Sequence, residues 1–198
     1  WQFSHVVPVV VPAPEFVLAK AWIFDPAPGG NRDGRAVPGE RIRPRVRLRN
    51  VAPADARSVE VTMSVDDPDV TVLRDLVAYE AWPAGEARNN GGPVFEIAHD
   101  ATPHDFTATV SVTADEGGPW EFDVPFMIGA PDVSFGLVRS WVFDPRPGGN
   151  RDSAASPGER VLLRVRVWNE GPDDAYGVSV ALTSGDPDVT VVAEEMTY

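Results

Sequence analysis

The sequence contains no cysteine, so disulfide bridges and thiolate metal sites are excluded. It has three histidines, and none of them lies beside a serine in a recognised nucleophile motif, so no hydrolase triad is indicated. No apolar run reaches the roughly 18 residues of a membrane-spanning helix. The first residues also lack the basic start and apolar stretch of a signal peptide, so we expect any export signal or anchor to lie outside this sequence.

Positive charge is scarce as well. Lysine and arginine number 17 against 30 aspartates and glutamates, which gives a formal net charge of -13. Because nucleic acid and anionic membrane surfaces are also negative, we expect neither as a partner, and cations are the natural counterpart. With 43% hydrophobic residues, the 198-residue chain has enough apolar material for a packed core.

An internal repeat organises the sequence. The segment WIFDPAPGGNRD, which begins at Trp22, returns as WVFDPRPGGNRD at Trp141, 119 residues later. Residues 12–79 align with 131–198 without a gap, and about half of the positions are identical, which indicates duplication. At the same offset, WQF at the start of the sequence aligns with WEF near the end of the repeat. We therefore predict a last strand of a preceding repeat, or a donated strand, at 1–11, a complete repeat at 12–130 and the first half of another at 131–198.

The repeat has the pattern of β-structure. In residues 41–50, Ile42, Val46 and Leu48 alternate with arginines, so one face is apolar and the other charged. Residues 57–66 alternate in the same way, and no helical period is sustained. We predict an all-β fold of tandem immunoglobulin-like β-sandwich repeats with a period of about 119 residues. Each repeat should contain about seven strands, placed near 15–24, 40–50, 57–66, 70–73, 93–98, 105–114 and 119–128.

The loop between the first two predicted strands concentrates oxygen-bearing side chains. It reads DPAPGGNRDGRAVPGE at 25–40 and DPRPGGNRDSAASPGE at 144–159. Calcium takes about six to eight oxygen ligands, whereas zinc and copper favour histidine or cysteine, which this loop lacks. The glycine pair permits a tight turn. The predicted calcium ligands are Asp25, Asn31, Asp33 and Glu40 in the first copy and Asp144, Asn150, Asp152 and Glu159 in the second.

Two other interpretations of this loop stay open. Asp-Pro and Gly-Asn are common turn formers, so the same residues can simply close a loop. Two of the carboxylates could also serve as a glycosidase pair, but a catalytic pair on successive repeats is a poor explanation of the duplication. The second copy changes positions 34, 35 and 37 and keeps all four candidate ligands, which favours structural calcium. We predict no catalytic site.

The pattern D-x-x-x-G-G-N-x-D-G-x-x-x-P-G-E, followed by an alternating strand ending at Asn50 and by DPDVTV, resembles the bacterial CARDB-like (cell-adhesion-related) extracellular repeat domains. The likeness covers nearly the whole repeat. It implies an immunoglobulin-like sandwich, an extracellular or cell-surface location, and a structural or adhesive role. The second copy departs from the pattern, with Ser153 at the place of Gly34.

Three further features have alternative interpretations. The arginines of 41–49 form either a polyanion-binding stripe or, as we expect, a solvated face paired with Glu60 and Asp66 on a neighbouring strand. Asp67 and Asp69 should form a tight turn and could hold a second cation. The aromatic residues before the loop, Trp22, Phe24, Trp141 and Phe143, are expected to fill the core, with sugar stacking as the alternative.

The sequence therefore predicts a segment of an extracellular bacterial fibre or surface scaffold made of calcium-stabilised repeats, and not an enzyme. Its partners would be other copies of itself or neighbouring repeats, with β-strand addition through residues 1–11 as a way of joining them. One alternative is an adhesin or carbohydrate-binding module with a glycan or cell-surface ligand. Another is a spacer attached to a secreted enzyme.

Overall fold

The structure is a computed structural model that describes residues 12–192 and 195–197. The predicted donated strand at 1–11 lies outside the described residues and stays a prediction. The chain divides into two compact units, with the boundary between Ala130 and Pro131. Strand pairs are antiparallel throughout the described ranges, and no helix there is long and apolar enough to cross a membrane.

The first unit is a sandwich of two sheets. One sheet has the order β1-β2-β7-β4, with β6 also beside β2, and the other has the order β5-β3-β8-β9. In the described residues the strands are β1 (Phe16–Phe24), β2 (Arg41–Asn50), β3 (Ala56–Val65), β4 (Val70–Arg74), β5 (Leu76–Trp82), β6 (Ala87–Asn89), β7 (Val94–Ile97), β8 (His104–Ala114) and β9 (Gly117–Ile128).

The core lies between the two sheets and is built from alternate residues. On β2, Ile42, Val46 and Leu48 have no exposed surface, and the arginines between them point outward. The predicted alternation of β3 is confirmed in the same way, since Val59, Val61 and Met63 are fully buried and Val65 is partly buried against the core. Phe16 closes one end by packing edge-on against Trp82, with ring centroids 5.1 Å apart.

All seven predicted strands of the first unit are present, but β5 and β6 were not predicted. β6 has three residues, and residues 90–93 separate it from β7. The backbone N–H of Asn90 donates to the Val46 carbonyl at 2.9 Å, and its side-chain oxygen accepts from the Val46 N–H at 2.8 Å. A side-chain amide therefore continues the ladder where the strand is interrupted, which no local pattern reveals.

The expected pairing of the arginines with Glu60 and Asp66 is wrong. β3, which ends just before Asp66, belongs to the opposite sheet, and the neighbours of β2 are β1, β6 and β7. The ion pair that β2 does form joins Arg41 to Glu96 on β7, at 2.8 Å. The arginine face therefore lacks the carboxylates that the sequence analysis assigned to it.

The expectation that Trp22 and Phe24 fill the core is also wrong. A β-bulge between Leu18 and Lys20 shifts the alternation of β1. Leu18 consequently packs against the core, as do Ala21 and Ile23, and the two aromatic rings lie on the outer face. There the Lys20 ammonium lies 5.4 Å from the Trp22 ring centre, and the Arg45 guanidinium lies 4.6 Å from that of Phe24.

The second unit repeats the first two strands and the bulge. β10 (Phe135–Phe143) pairs with β11 (Leu162–Asn169) in the register of β1 and β2, and β12 (Ser179–Ala181) pairs with β13 (Glu195–Thr197). Val165 of β11 is 44% exposed, whereas its counterpart Val46 is fully buried. Because the described residues form no second sheet over β10 and β11, a tandem of two sandwiches stays a prediction, and the all-β fold is confirmed.

Asn50 offers a test of how the strand ends are joined. Its buried side-chain nitrogen donates to the carbonyls of Ala54 at 2.7 Å and Trp82 at 3.4 Å, and its oxygen accepts from Glu15 at 3.3 Å. Asn50→Asp keeps the shape but removes both donors and buries a charge, so we expect the free energy of unfolding to fall by about 3 kcal/mol. Urea denaturation measures it.

The matched control is Asn89→Asp, at an exposed asparagine one strand away. It should change the free energy of unfolding by less than about 0.5 kcal/mol. Equal losses in the two variants would contradict the role assigned to Asn50.

Candidate metal centre

A buried aspartate organises the loop between β1 and β2. Asp25 is 1% exposed, and its Oδ2 accepts the backbone N–H groups of Arg32 at 2.8 Å and Asp33 at 3.0 Å. Its Oδ1 accepts the N–H of Gly34 at 2.9 Å. Three amide donors offset the loss of hydration that burial imposes on a carboxylate. The loop is thus wrapped around a negative charge.

The glycines of the loop are explained by this wrapping. Gly29 has a φ of 102°, which side-chain-bearing residues rarely adopt, and a Cβ on Gly30 would overlap the backbone of Asp25. Arg32 and Gly34 have φ values of 73° and 79°, so successive N–H groups turn toward one point. Such a backbone concavity binds anions, and here the anion is the Asp25 side chain.

The second copy has the same arrangement around Asp144. Its Oδ2 accepts the amides of Arg151 at 2.7 Å and Asp152 at 2.9 Å, and its Oδ1 accepts that of Ser153 at 3.1 Å. Burial acts to raise the pKa of Asp144, but these three hydrogen bonds outweigh it and the pKa is lowered. Ser153 adopts a φ of 63°, so the serine keeps the glycine conformation at a cost of about 1 kcal/mol.

The predicted asparagine ligands also close the loop. Asn31 Oδ1 accepts the amide of Asp33 at 2.9 Å, and Asp33 Oδ1 accepts that of Arg35 at 2.8 Å. Asn150 and Asp152 make the equivalent bonds in the second copy, both at 2.8 Å. These bonds agree with the turn interpretation. They leave room for a cation, because a carboxylate oxygen has more than one lone pair.

Glu40 brings a further carboxylate to the buried Asp25. It is 8% exposed, and its two oxygens accept the amides of Asn31 at 3.2 Å and Val37 at 3.3 Å. Burial raises the pKa of Glu40 to about 7; repulsion from Asp25 and Asp33 adds to the rise, and the two amides oppose it. A cation beside these carboxylates would relieve the repulsion.

The carboxylates converge most closely in the second unit. Ligand oxygens of Asp144, Asp152 and Glu159 all lie within 4.8 Å of one another. Calcium sits about 2.3 to 2.6 Å from its ligands, so ligands on opposite sides of it lie about 5 Å apart. The spacing therefore suits calcium. In the described part of the first unit, the carboxylates of Asp25, Asp33 and Glu40 do not meet within that distance.

A separate cluster joins Asp67 and Asp69 to His104. His104 Nε2 lies 3.0 Å from Asp67 Oδ2, and its Nδ1 lies 2.6 Å from the Thr102 carbonyl. The bond to Thr102, followed by that to Asp67, raises the pKa of His104. The sequence pattern indicates the aspartates but not the histidine, because His104 reaches them only through the pairing of β3 with β8.

Comparison with known proteins does not assign the chain to a family. No protein-family model and no curated protein matches the chain. Among solved structures, the chain is similar to the ASH / PapD-like domain of human CEP192 (PapD-like domain 7). The identity is 12%, the match covers 66% of this chain and 94% of that chain, and the TM-score is 0.34. The strands described above make the chain an all-β protein.

The raised pKa of Glu40 predicts a pH dependence of stability. The folded protein holds a proton on Glu40 up to about pH 7, whereas the unfolded chain releases it near 4.5. Without metal, this contribution to stability is therefore complete below pH 4.5 and lost as the pH rises through about 7. In the unaltered protein the free energy of unfolding should fall by about 3 kcal/mol over this pH range, and Glu40→Gln should abolish the fall; urea denaturation at several pH values measures it.

His104 should also make the free energy of unfolding fall as the pH rises, since its pKa is raised as well. His104→Gln therefore accompanies Glu40→Gln, so that the two contributions are separated. Glu121→Gln, at an exposed glutamate of β9, is the control and should leave the pH profile unchanged. A Glu40→Gln profile identical to that of the unaltered protein would contradict the assignment.

Proposed function

We propose that the chain is a structural segment of an extracellular bacterial fibre or surface scaffold, with calcium bound in the loop after the first strand of each unit. The proposal includes membership of the CARDB-like domains and a secreted location. The observation that carries it is the recurrence, in both copies, of a buried aspartate held by three backbone amides, with the carboxylates of Asp152 and Glu159 beside it in the second copy.

The donor set favours calcium over other metals. In each loop the side chains that can bind a metal ion do so through oxygen, and hard oxygen ligands suit calcium and magnesium. Magnesium demands near-ideal octahedral geometry, which a flexible loop supplies poorly. Asp144, Asp152 and Glu159 would hold the ion in the second unit, and Asp25, Asp33 and Glu40 would hold it in the first. The bound ion would tie the two ends of the loop together and thereby stabilise the strand pair.

Calcium should therefore raise the stability of the protein. If calcium binds only the folded chain, a hundredfold excess over Kd adds about 2.7 kcal/mol to the free energy of unfolding. Thermal unfolding in calcium, in magnesium and in chelator measures this gain, and calorimetric titration gives the number of ions bound. A melting temperature that is the same in calcium and in chelator would sink the proposal.

Variants assign the binding to the loops. Glu40→Gln and Glu159→Gln each remove one carboxylate from one loop, so each should reduce the number of calcium ions bound by one. Asp188→Asn removes an exposed carboxylate outside the loops and serves as the control. Unaltered calcium binding in both loop variants would place the ion elsewhere, with the Asp67–His104 cluster as the next place to test.

The outward aromatic rings favour carbohydrate binding as a second candidate function. Trp141 is 36% exposed and Phe143 is 41% exposed, at the same positions as Trp22 and Phe24 in the first unit. Flat sugar faces stack on such rings. If the chain binds sugars, Trp22→Ala and Trp141→Ala should abolish binding on a glycan array. Phe135→Ala, which changes an exposed ring elsewhere, should not. Equal binding by all three variants would exclude these rings.

A further inference from the structure

The two outer faces of the first unit carry opposite charge. The outward side chains of β1 and β2 form a basic face, and those of the other sheet form an acidic face. Arg57 stands at one end of the acidic face. The basic face consists of Lys20, Arg41, Arg43, Arg45, Arg47 and Arg49, and the acidic face of Glu60, Glu80, Asp105, Glu121 and Asp123.

Most of these charges have no opposite charge beside them. On the basic face Arg41 pairs with Glu96, while the side chains of Arg43 and Arg47 form no ion pair or hydrogen bond with any described residue. On the acidic face Asp123 accepts the hydroxyl of Thr109 at 3.1 Å, and none of its carboxylates pairs with a cation in the described ranges. Both faces are therefore free to meet charges on another molecule.

The acidic face is also shaped to receive arginine. At one end it opens into a groove of about 590 Å³, lined by carboxylates and by hydroxyl groups. Carboxylates accept the paired N–H groups of a guanidinium, and hydroxyls accept those that remain. Among the lining residues, Asp66, Asp105 and Asp123 carry carboxylates, and Ser64, Thr107 and Thr109 carry hydroxyl groups.

We propose that the basic face of the first unit docks on the acidic face of the first unit of a second copy of this chain. Alternate side chains on a strand are about 6.7 Å apart, so the five arginines of β2 form a row of about 27 Å, which a facing sheet can match. The contact is head-to-tail and can add further copies. This proposal depends on the scaffold role proposed above in one respect, the choice of a second copy of the chain as the partner. The calcium loops take no part in the contact.

The size of the faces predicts a weak contact. Four strands about 4.8 Å apart and about 30 Å long cover roughly 600 Å², below the roughly 800 Å² per partner of a standard stable interface. The net charge of -13 repels two copies at a distance. Charges farther apart than about 8 Å are largely screened at physiological ionic strength, so the complementary charges at the contact decide the outcome.

Charge reversal in the full-length chain tests the docking. Arg43→Glu with Arg47→Glu lowers the charge of the basic face from +6 to +2, and Glu121→Arg with Asp123→Arg changes that of the acidic face from -5 to -1. By sedimentation, the unaltered chain should self-associate with a Kd on the order of 100 µM. Each double variant alone should associate at least about tenfold more weakly, and an equimolar mixture of the two should recover the association.

Controls separate this contact from other associations. Asp174→Arg with Asp188→Arg changes the net charge as the acidic-face variant does, on exposed residues of the second unit, and should self-associate like the unaltered chain. If the Arg43→Glu pair impairs folding, as judged by thermal unfolding, Arg43→Gln with Arg47→Gln takes its place and should also weaken association.

Two results would overturn the proposal. One is an unaltered chain that stays monomeric up to about 1 mM, a concentration well above the Kd of a weak contact. The other is a mixture of charge-reversed variants that does not associate. Binding of heparin, lost only in the Arg43 and Arg47 variants while the mixture stays monomeric, would instead identify the basic face as a site for anionic polysaccharide. The expected results of these association experiments are the same whether or not the loops bind calcium.

Discussion

The pleat of β2 is the constraint on which the first unit depends. Ile42, Val46 and Leu48 point to one side of the strand and must be covered by another layer, while the intervening arginines must remain in water. Burying each of these apolar side chains contributes about 1.5 to 3 kcal/mol. The sheet of β3 and β8 supplies the cover.

The β1–β2 loop depends on a second constraint, a buried carboxylate that must be satisfied. Backbone amides do this for Asp25, and the left-handed conformation of Arg32 and the bare Cα of Gly30 follow from bringing those amides inward. A turn of this kind does not need the carboxylate of Glu40 in addition to those of Asp25 and Asp33. Glutamine at position 40 would accept the Val37 amide without repelling Asp25, so the recurrence of glutamate in both copies supports a bound cation.

Sequence periodicity predicts what is local and misses what is tertiary. The alternation of β2 and β3 correctly predicts which residues are buried, because a pleat fixes sides within one strand. It does not reveal that Glu60 belongs to the opposite sheet from the arginines, nor that the bulge after Leu18 moves Trp22 outward. The candidate ligands of the loop were found from the repeat, whereas His104 joins Asp67 only through strand pairing distant in sequence.

The same separation of the sheets explains why the charges of the first unit cannot neutralise one another. A sandwich holds its two sheets about 10 Å apart with an apolar core between them, and the charged side chains point away from that core. Arg43 and Glu121 are therefore held on opposite sides of one domain, beyond the distance at which a salt bridge forms. Only a contact between molecules can bring such faces together. Because each copy of the chain carries both a basic and an acidic face, a second copy has the face that the first requires.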